Sequence, residues 1–157
     1  MFKTSESLGQ FFIRLALGVV MFPHGAQKVF GWFGGAGYAG TVETFTQELG
    51  FPFWVVILLM AIEILGSIGI IAGLFTRLCA LGTAASISVC AYLYHLPNGF
   101  FMNWFGQQKG EGVEYHVLVL GICIALMVQG GGSFSLDKVI SKSVSKSSHS
   151  KDMRILL

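Results

Sequence analysis

Ionisable side chains interrupt several strongly apolar stretches of this 157-residue sequence. In chain order they are Arg14, His24, Lys28, Glu63, His95, Glu114 and His116. A charged side chain in a lipid bilayer costs about 2.5–3.5 kcal/mol on insertion scales, so such residues usually face a protein interior and mark proton or ligand pathways. Carboxylates and imidazoles exchange protons and hydrogen-bond the oxygen atoms of a ligand. These residues therefore predict a proton-handling or ligand-binding site inside a membrane protein.

Three of these residues are the catalytic candidates: Arg14, Glu63 and Glu114. Glu63 lies near the middle of its stretch, where a carboxylate must be paired or protonated, and we predict Arg14 as its partner. This pair would either lock two helices together or tune a functional site, and the sequence leaves both interpretations open. Glu114 and His116 are two residues apart and diverge by about 200° on a helix. We expect Glu114 to point inward, and His116 to share a face with Cys123.

The ligand-binding candidates lie toward the outer ends of the same stretches. They are His24, Lys28, His95, His116, Trp32 and Trp104. The two tryptophans belong to a glycine-rich segment and an aromatic segment, which form either a belt at the lipid headgroups or a cap over a cavity. The histidine spacing matches no metal-site signature, so we predict no metal and regard haem as disfavoured. The three cysteines are interpreted as buried apolar thiols.

The elements that position these residues follow from the composition, which is 54% hydrophobic and only 11% charged. Soluble domains carry about 25% charged residues. Four apolar stretches, at about 8–29, 53–74, 78–96 and 112–129, are each close to the ~20 residues that a helix needs to cross a bilayer. The predicted fold is all-α: an integral membrane four-helix bundle with an aromatic and glycine-rich outer cap, formed by residues 1–137.

The distribution of basic residues predicts the orientation. Residues 138–157 are rich in Ser and Lys, and we expect a disordered tail that touches anionic lipid. That tail, Lys3 and Arg77 would share one side of the membrane, whereas Lys28 and Lys109 would lie on the other. The positive-inside rule then places both termini in the cytoplasm. The net charge of +2 does not suggest nucleic-acid binding.

Several motifs resemble the DoxX family of small bacterial membrane proteins. They lie at residues 14–18, 24–37, 72–77, 95–104, 110–116 and 130–137. The resemblance implies a four-helix protein of the bacterial inner membrane. The family takes its name from a subunit of a thiosulfate:quinone oxidoreductase, and other members are associated with redox-stress responses and with quinone or catechol detoxification. It supplies no agreed catalytic residues, so the candidates above rest on physical argument.

The leading hypothesis is a membrane component of a redox system that handles a quinone or a similar small apolar molecule. As an enzyme it would be a quinone-linked oxidoreductase subunit that takes electrons from a partner protein, because the sequence has no dinucleotide-binding fingerprint. The alternatives are a non-enzymatic scaffold for soluble redox enzymes and a small-molecule transporter. Glycine-rich faces on the second and third spans are compatible with a homo-oligomer. The sequence does not identify the cofactor, whether the protein is catalytic, or its ligand.

Overall fold

The chain folds into helices joined by short turns and by one longer loop, residues 99–113, before the last apolar helix. A computed structural model describes residues 7–143. The helices are α1 (Leu8–Phe30), α2 (Gly37–Glu43), α3 (Phe53–Ala72), α4 (Thr76–Cys90), α5 (Glu114–Gln129) and α6 (136–143). A π turn, Ala91–His95, and a 3-10 turn, Leu96–Asn98, extend α4. The described part of the chain contains no β-strand, so the predicted all-α membrane bundle is confirmed.

Three helices are long and apolar enough to cross a membrane: Leu8–Phe30, Phe53–Ala72 and Thr76–Asn98. The fourth, α5, has 16 residues and is about 24 Å long, somewhat less than a 30 Å hydrocarbon core. Large apolar side chains cover the outer surface of these helices. Examples are Phe12, Leu58, Leu65, Leu78, Leu118 and Val128. Such a surface is suited to contact with lipid tails.

Helices α1 and α3 cross closely because α1 carries glycine at the contact. A Cβ atom on Gly25 would lie 2.8 Å from the backbone Cα and N of Ile64, closer than real Cβ contacts come. Small residues allow helix backbones in a membrane to approach in this way. The crossing brings the last turn of α1 against the middle of α3, where Lys28 and Glu63 lie.

Substitution of Gly25 by Ala is expected to lower the free energy of unfolding by about 1–3 kcal/mol, because the added methyl group must push two backbones apart. Gly121→Ala on α5 is the matched control, since nothing lies within 4 Å of its Cβ position. That variant should be unchanged or slightly more stable, as alanine favours a helix over glycine by up to about 1 kcal/mol. Unfolding of both variants in detergent, followed by circular dichroism, measures the difference. Equal stabilities would contradict the close crossing.

The end of the bundle opposite Lys28 is held together by buried Arg14 and Asp137. Nη1 of Arg14 donates to the Ile70 carbonyl at 2.9 Å, and Nη2 donates to the Phe134 carbonyl at 3.1 Å. The Asp137 carboxylate accepts the backbone N–H groups of Phe75 and Thr76 at 2.8 and 2.9 Å, which caps the start of α4. These bonds tie α1, the α3–α4 turn and the segment after α5 into one unit.

The predicted tail begins within a helix rather than at a disordered segment. Residues 138–143 belong to α6, which starts at residue 136. The rest of the tail, 144–157, and Lys3 near the N-terminus lie outside the described residues. Their predicted contribution to topology and lipid contact therefore stays a prediction.

Candidate functional site

A partly buried ion pair joins the last turn of α1 to the middle of α3. Nζ of Lys28 lies 2.6 Å from Oε2 of Glu63. The hydroxyl of Ser86 on α4 donates to the other carboxylate oxygen, Oε1, at 2.9 Å. Glu63 is only 8% exposed. Both of its oxygens therefore depend on these protein groups, because little bulk water can reach them. Three helices thus converge on one carboxylate.

The predicted pairing of Arg14 with Glu63 is wrong. Lys28 takes that place, while Arg14 binds backbone carbonyls at the opposite end of the bundle. Arg14 and Lys28 are 14 residues apart, which corresponds to about 21 Å along a helix. They share one face of α1, but only Lys28 lies at the depth of Glu63.

A polar chamber lies on one side of the pair. It has a volume of about 180 Å³. Its walls are formed by Met21, His24, Lys28, Glu63, Ile87, Cys90, His95, Tyr115 and His116. Five of the sequence-predicted site residues are therefore brought to one cavity: three imidazoles, the ammonium group and the carboxylate. The rings of His95 and His116 are close together, with centroids 4.1 Å apart.

An apolar groove lies on the other side of the pair, between α3 and α4. Its cavity volume is about 50 Å³. The apolar walls are Phe45, Phe51, Val55, Val56, Leu59, Val89, Cys90, Leu93 and Tyr94, and the polar inner end is Lys28, Glu63 and Ser86. Val55, Val89 and Leu93 are each more than 40% exposed, so the groove opens on the outer surface of the bundle. A small apolar molecule could reach the ion pair from the lipid by this route.

The expected orientations of Glu114 and His116 are reversed. His116 is 5% exposed and points into the chamber. It does share its buried face with Cys123, as predicted, but that face is the inward one. Glu114 is the first residue of α5, and its Oε2 accepts the backbone N–H of Met102 in the loop 99–113 at 3.1 Å. The carboxylate therefore holds the loop against the helix instead of lining the chamber.

The sequence comparison agrees with this architecture. The family model for DoxX matches residues 9–96, which include α1 to α4 and both members of the ion pair. The chain belongs to the DoxX family. Helix α5, which supplies His116 to the chamber of this DoxX protein, lies beyond the matched region.

Two relatives align over almost all of the DoxX chain. One is "Inner membrane protein YqjF" of Escherichia coli K12, 26% identical over 145 residues, which cover 89% of this chain and 98% of the relative. The other is "Putative oxidoreductase CatD" of Bacillus subtilis 168, 25% identical over 138 residues, which cover 88% and 91%. No solved structure gives a significant match.

The DoxX chamber and the adjoining groove also contain residues that were not predicted as site residues. Ser86 and Cys90 are four residues apart on α4, and this spacing places them on one helix face. Tyr115 on α5 lies with its hydroxyl 3.7 Å from the sulfur of Met21. The spacing of Ser86 and Cys90 could have been recognised in the sequence. Nothing in the sequence distinguishes Tyr115 from an ordinary aromatic residue at a membrane interface.

The two predicted tryptophans lie outside the chamber. Trp32 is 53% exposed and its ring contacts Phe30. Trp104 is 78% exposed and lines a surface groove with Met102 and Glu114. Their positions fit an aromatic layer at one membrane interface of this DoxX bundle better than direct contact with a ligand in the chamber.

Proposed function

We propose that this DoxX protein is a membrane component of a redox system that binds a quinone or a similar small apolar molecule in the groove between α3 and α4. One observation carries the proposal: nine apolar side chains lead from the outer surface to a buried Lys28–Glu63 pair. Ligand sites of this kind combine apolar walls with a few polar groups that fix orientation, and volumes of about 300–1,000 Å³ are usual. The groove has this combination of groups, but its cavity volume of about 50 Å³ is below that range, so a bound ring must displace lining side chains or extend through the mouth toward the lipid.

The chemistry of the inner end suits a quinone. Conversion of a quinone to a quinol takes up two electrons and two protons, one proton at each ring oxygen. The Lys28 ammonium group can donate a hydrogen bond to a ring oxygen, and Glu63 can accept one from a ring hydroxyl. Electrons would come from a partner protein. The name of the relative CatD, which includes "oxidoreductase", supports a redox role.

The same proposal places the protein in the bacterial inner membrane with both termini cytoplasmic. Among the described residues, Arg77, Lys138 and Lys142 lie toward one end of the bundle, while Lys28 and Lys109 belong to the other. Positive charge is concentrated on the cytoplasmic side of membrane proteins. The name of the relative YqjF supports the choice of membrane.

Blocking the mouth of the groove tests the proposal. Val89→Trp places a large ring at an exposed lining position and is expected to weaken binding of a benzoquinone with one isoprenoid unit at least about tenfold, or ~1.4 kcal/mol. Leu81→Trp is the matched control, because Leu81 lies on the same helix, is 54% exposed and is absent from the groove walls. Calorimetry with purified protein in detergent measures both affinities. Equal binding by the two variants, or no binding by the unaltered protein, would refute the proposal.

A further inference from the structure

Three side chains with metal-binding atoms converge in the polar chamber, and one of them also lines the groove. They are Cys90, His95 and His116, and their ligand atoms all lie within 4.8 Å of one another. Ligand atoms around a tetrahedral ion lie about 3.3–3.8 Å apart, given bond lengths of roughly 2.0–2.3 Å. Small side-chain rotations would therefore bring the three atoms onto one ion. We predicted no metal because the histidine spacing matches no metal-site signature. Such signatures describe ligands that are close in sequence, so they cannot detect a site whose ligands come from separate elements.

The local backbone explains how Cys90 and His95 reach the same place. Residues five apart on a regular α-helix diverge by about 140°. The segment Ala91–His95 is instead a π turn, in which hydrogen bonds run from residue i to i+5, so Cys90 and His95 come onto one side. Such turns interrupt α-helices frequently at functional sites.

The surroundings of the two imidazoles match those of metal ligands. Nδ1 of His95 lies 2.9 Å from the Glu111 carbonyl, which leaves Nε2 for a metal. A metal-binding histidine almost always uses its second nitrogen in this way. His116 is 95% buried, and within the described residues its Nδ1 has no hydrogen-bond partner of normal geometry, although the Gly112 carbonyl interacts with the ring. Besides the convergence of the three side chains, a buried imidazole nitrogen without a hydrogen bond of normal geometry is a second observation that points to a ligand.

We propose that Cys90, His95 and His116 bind one transition-metal ion of the thiolate-preferring class, Zn²⁺ or Cu⁺. A thiolate with two imidazoles suits both ions, and three protein ligands leave one position open. The thioether of Met21 lines the same chamber and is a soft donor that would favour copper. This site does not depend on the proposed quinone function, because its assay contains no quinone.

Cobalt titration of the purified full chain tests the site. After removal of metal with a chelator, Co²⁺ should bind at about one equivalent per chain and give a thiolate-to-cobalt charge-transfer band. Zn²⁺ should displace it, and competition with a Cu⁺-selective chelator distinguishes the two native ions. Cys90→Ser and His116→Gln should abolish the band, whereas Cys79→Ser, at the other end of α4, should keep it. A missing band, or a band that persists in Cys90→Ser, would overturn the proposal.

Thiol alkylation provides a measurement that needs no variant. Zn²⁺ or Cu⁺ is expected to slow modification of Cys90 at least about tenfold while leaving Cys79 unchanged, because only the first thiol would become a ligand. Mass spectrometry of the digested protein reports both rates in one sample. Equal rates at Cys90 with and without metal would exclude coordination.

Discussion

Glu63→Gln is expected to weaken quinone binding roughly 10–100-fold, which corresponds to the loss of one charge-assisted hydrogen bond of about 1.5–3 kcal/mol. Glutamine keeps the shape of the side chain but removes the charge that holds the Lys28 ammonium group 2.6 Å away. It also changes one of two acceptor oxygens into a donor, so the hydrogen bonds at the inner end of the groove cannot all be retained. Calorimetric titration with the isoprenoid benzoquinone measures the effect.

Glu114→Gln is the matched control for this prediction. Glu114 was an equal candidate in the sequence, but its carboxylate binds the Met102 N–H, and the amide oxygen of glutamine can still accept that bond. Lys28→Met should behave like Glu63→Gln, because it breaks the same pair from the other side. If Glu63→Gln binds quinone normally while remaining folded, the pair only joins helices. If Glu114→Gln is equally impaired, the loss does not arise from the groove.

Arg14→Ala is expected to destabilise the protein by more than about 3 kcal/mol. The guanidinium group is fully buried and donates to the carbonyls of Ile70, Ile71 and Phe134. Alanine removes these hydrogen bonds, takes one buried donor away from each carbonyl group, and opens a cavity the size of an arginine side chain. The Asp137 carboxylate also loses its favourable electrostatic interaction with Arg14. Denaturant unfolding in detergent micelles measures the loss.

Two further variants separate this structural role from a functional one. Lys142→Ala removes an exposed positive charge from α6 and should change stability by less than about 0.5 kcal/mol. Arg14→Lys keeps the charge, but its single ammonium group cannot reproduce the planar set of donors, so an intermediate loss is expected. If Arg14→Ala were as stable as the unaltered chain, these hydrogen bonds would contribute nothing measurable. If it stayed stable but lost quinone binding, Arg14 would belong to the site after all.

The sequence was sufficient for the four long apolar helices and for the face of α1 that turns inward, but not for α6, part of which was predicted as a disordered tail. The pattern of Arg14, Met21, Gly25 and Lys28 on one stripe is visible in the residues alone. The partner of Glu63 could not be predicted in this way. A helical pattern shows the direction in which a side chain points around the helix axis, but it does not show the depth at which a second helix crosses. That depth depends on the contact of Gly25 with Ile64, which only the folded structure shows.

The outer ends of the helices were harder to predict for a similar reason. The choice between Glu114 and His116 depends on where α5 begins, and because Glu114 is its first residue the carboxylate is free to bind the loop. The meeting of Cys90 with His95 depends on a π turn, and a calculation based on 100° per residue separates them. Local departures from regular helix geometry therefore decided which residues entered the chamber.

The central claim is that the buried Lys28–Glu63 pair is the inner end of a ligand site. A density map of the protein in lipid nanodiscs, saturated with the isoprenoid benzoquinone, tests it most directly. We expect a ring between α3 and α4, with one oxygen within about 3 Å of Lys28 Nζ or of the Glu63 carboxylate. A groove closed by Phe51 and Leu93, or a quinone bound elsewhere on the bundle, would contradict it.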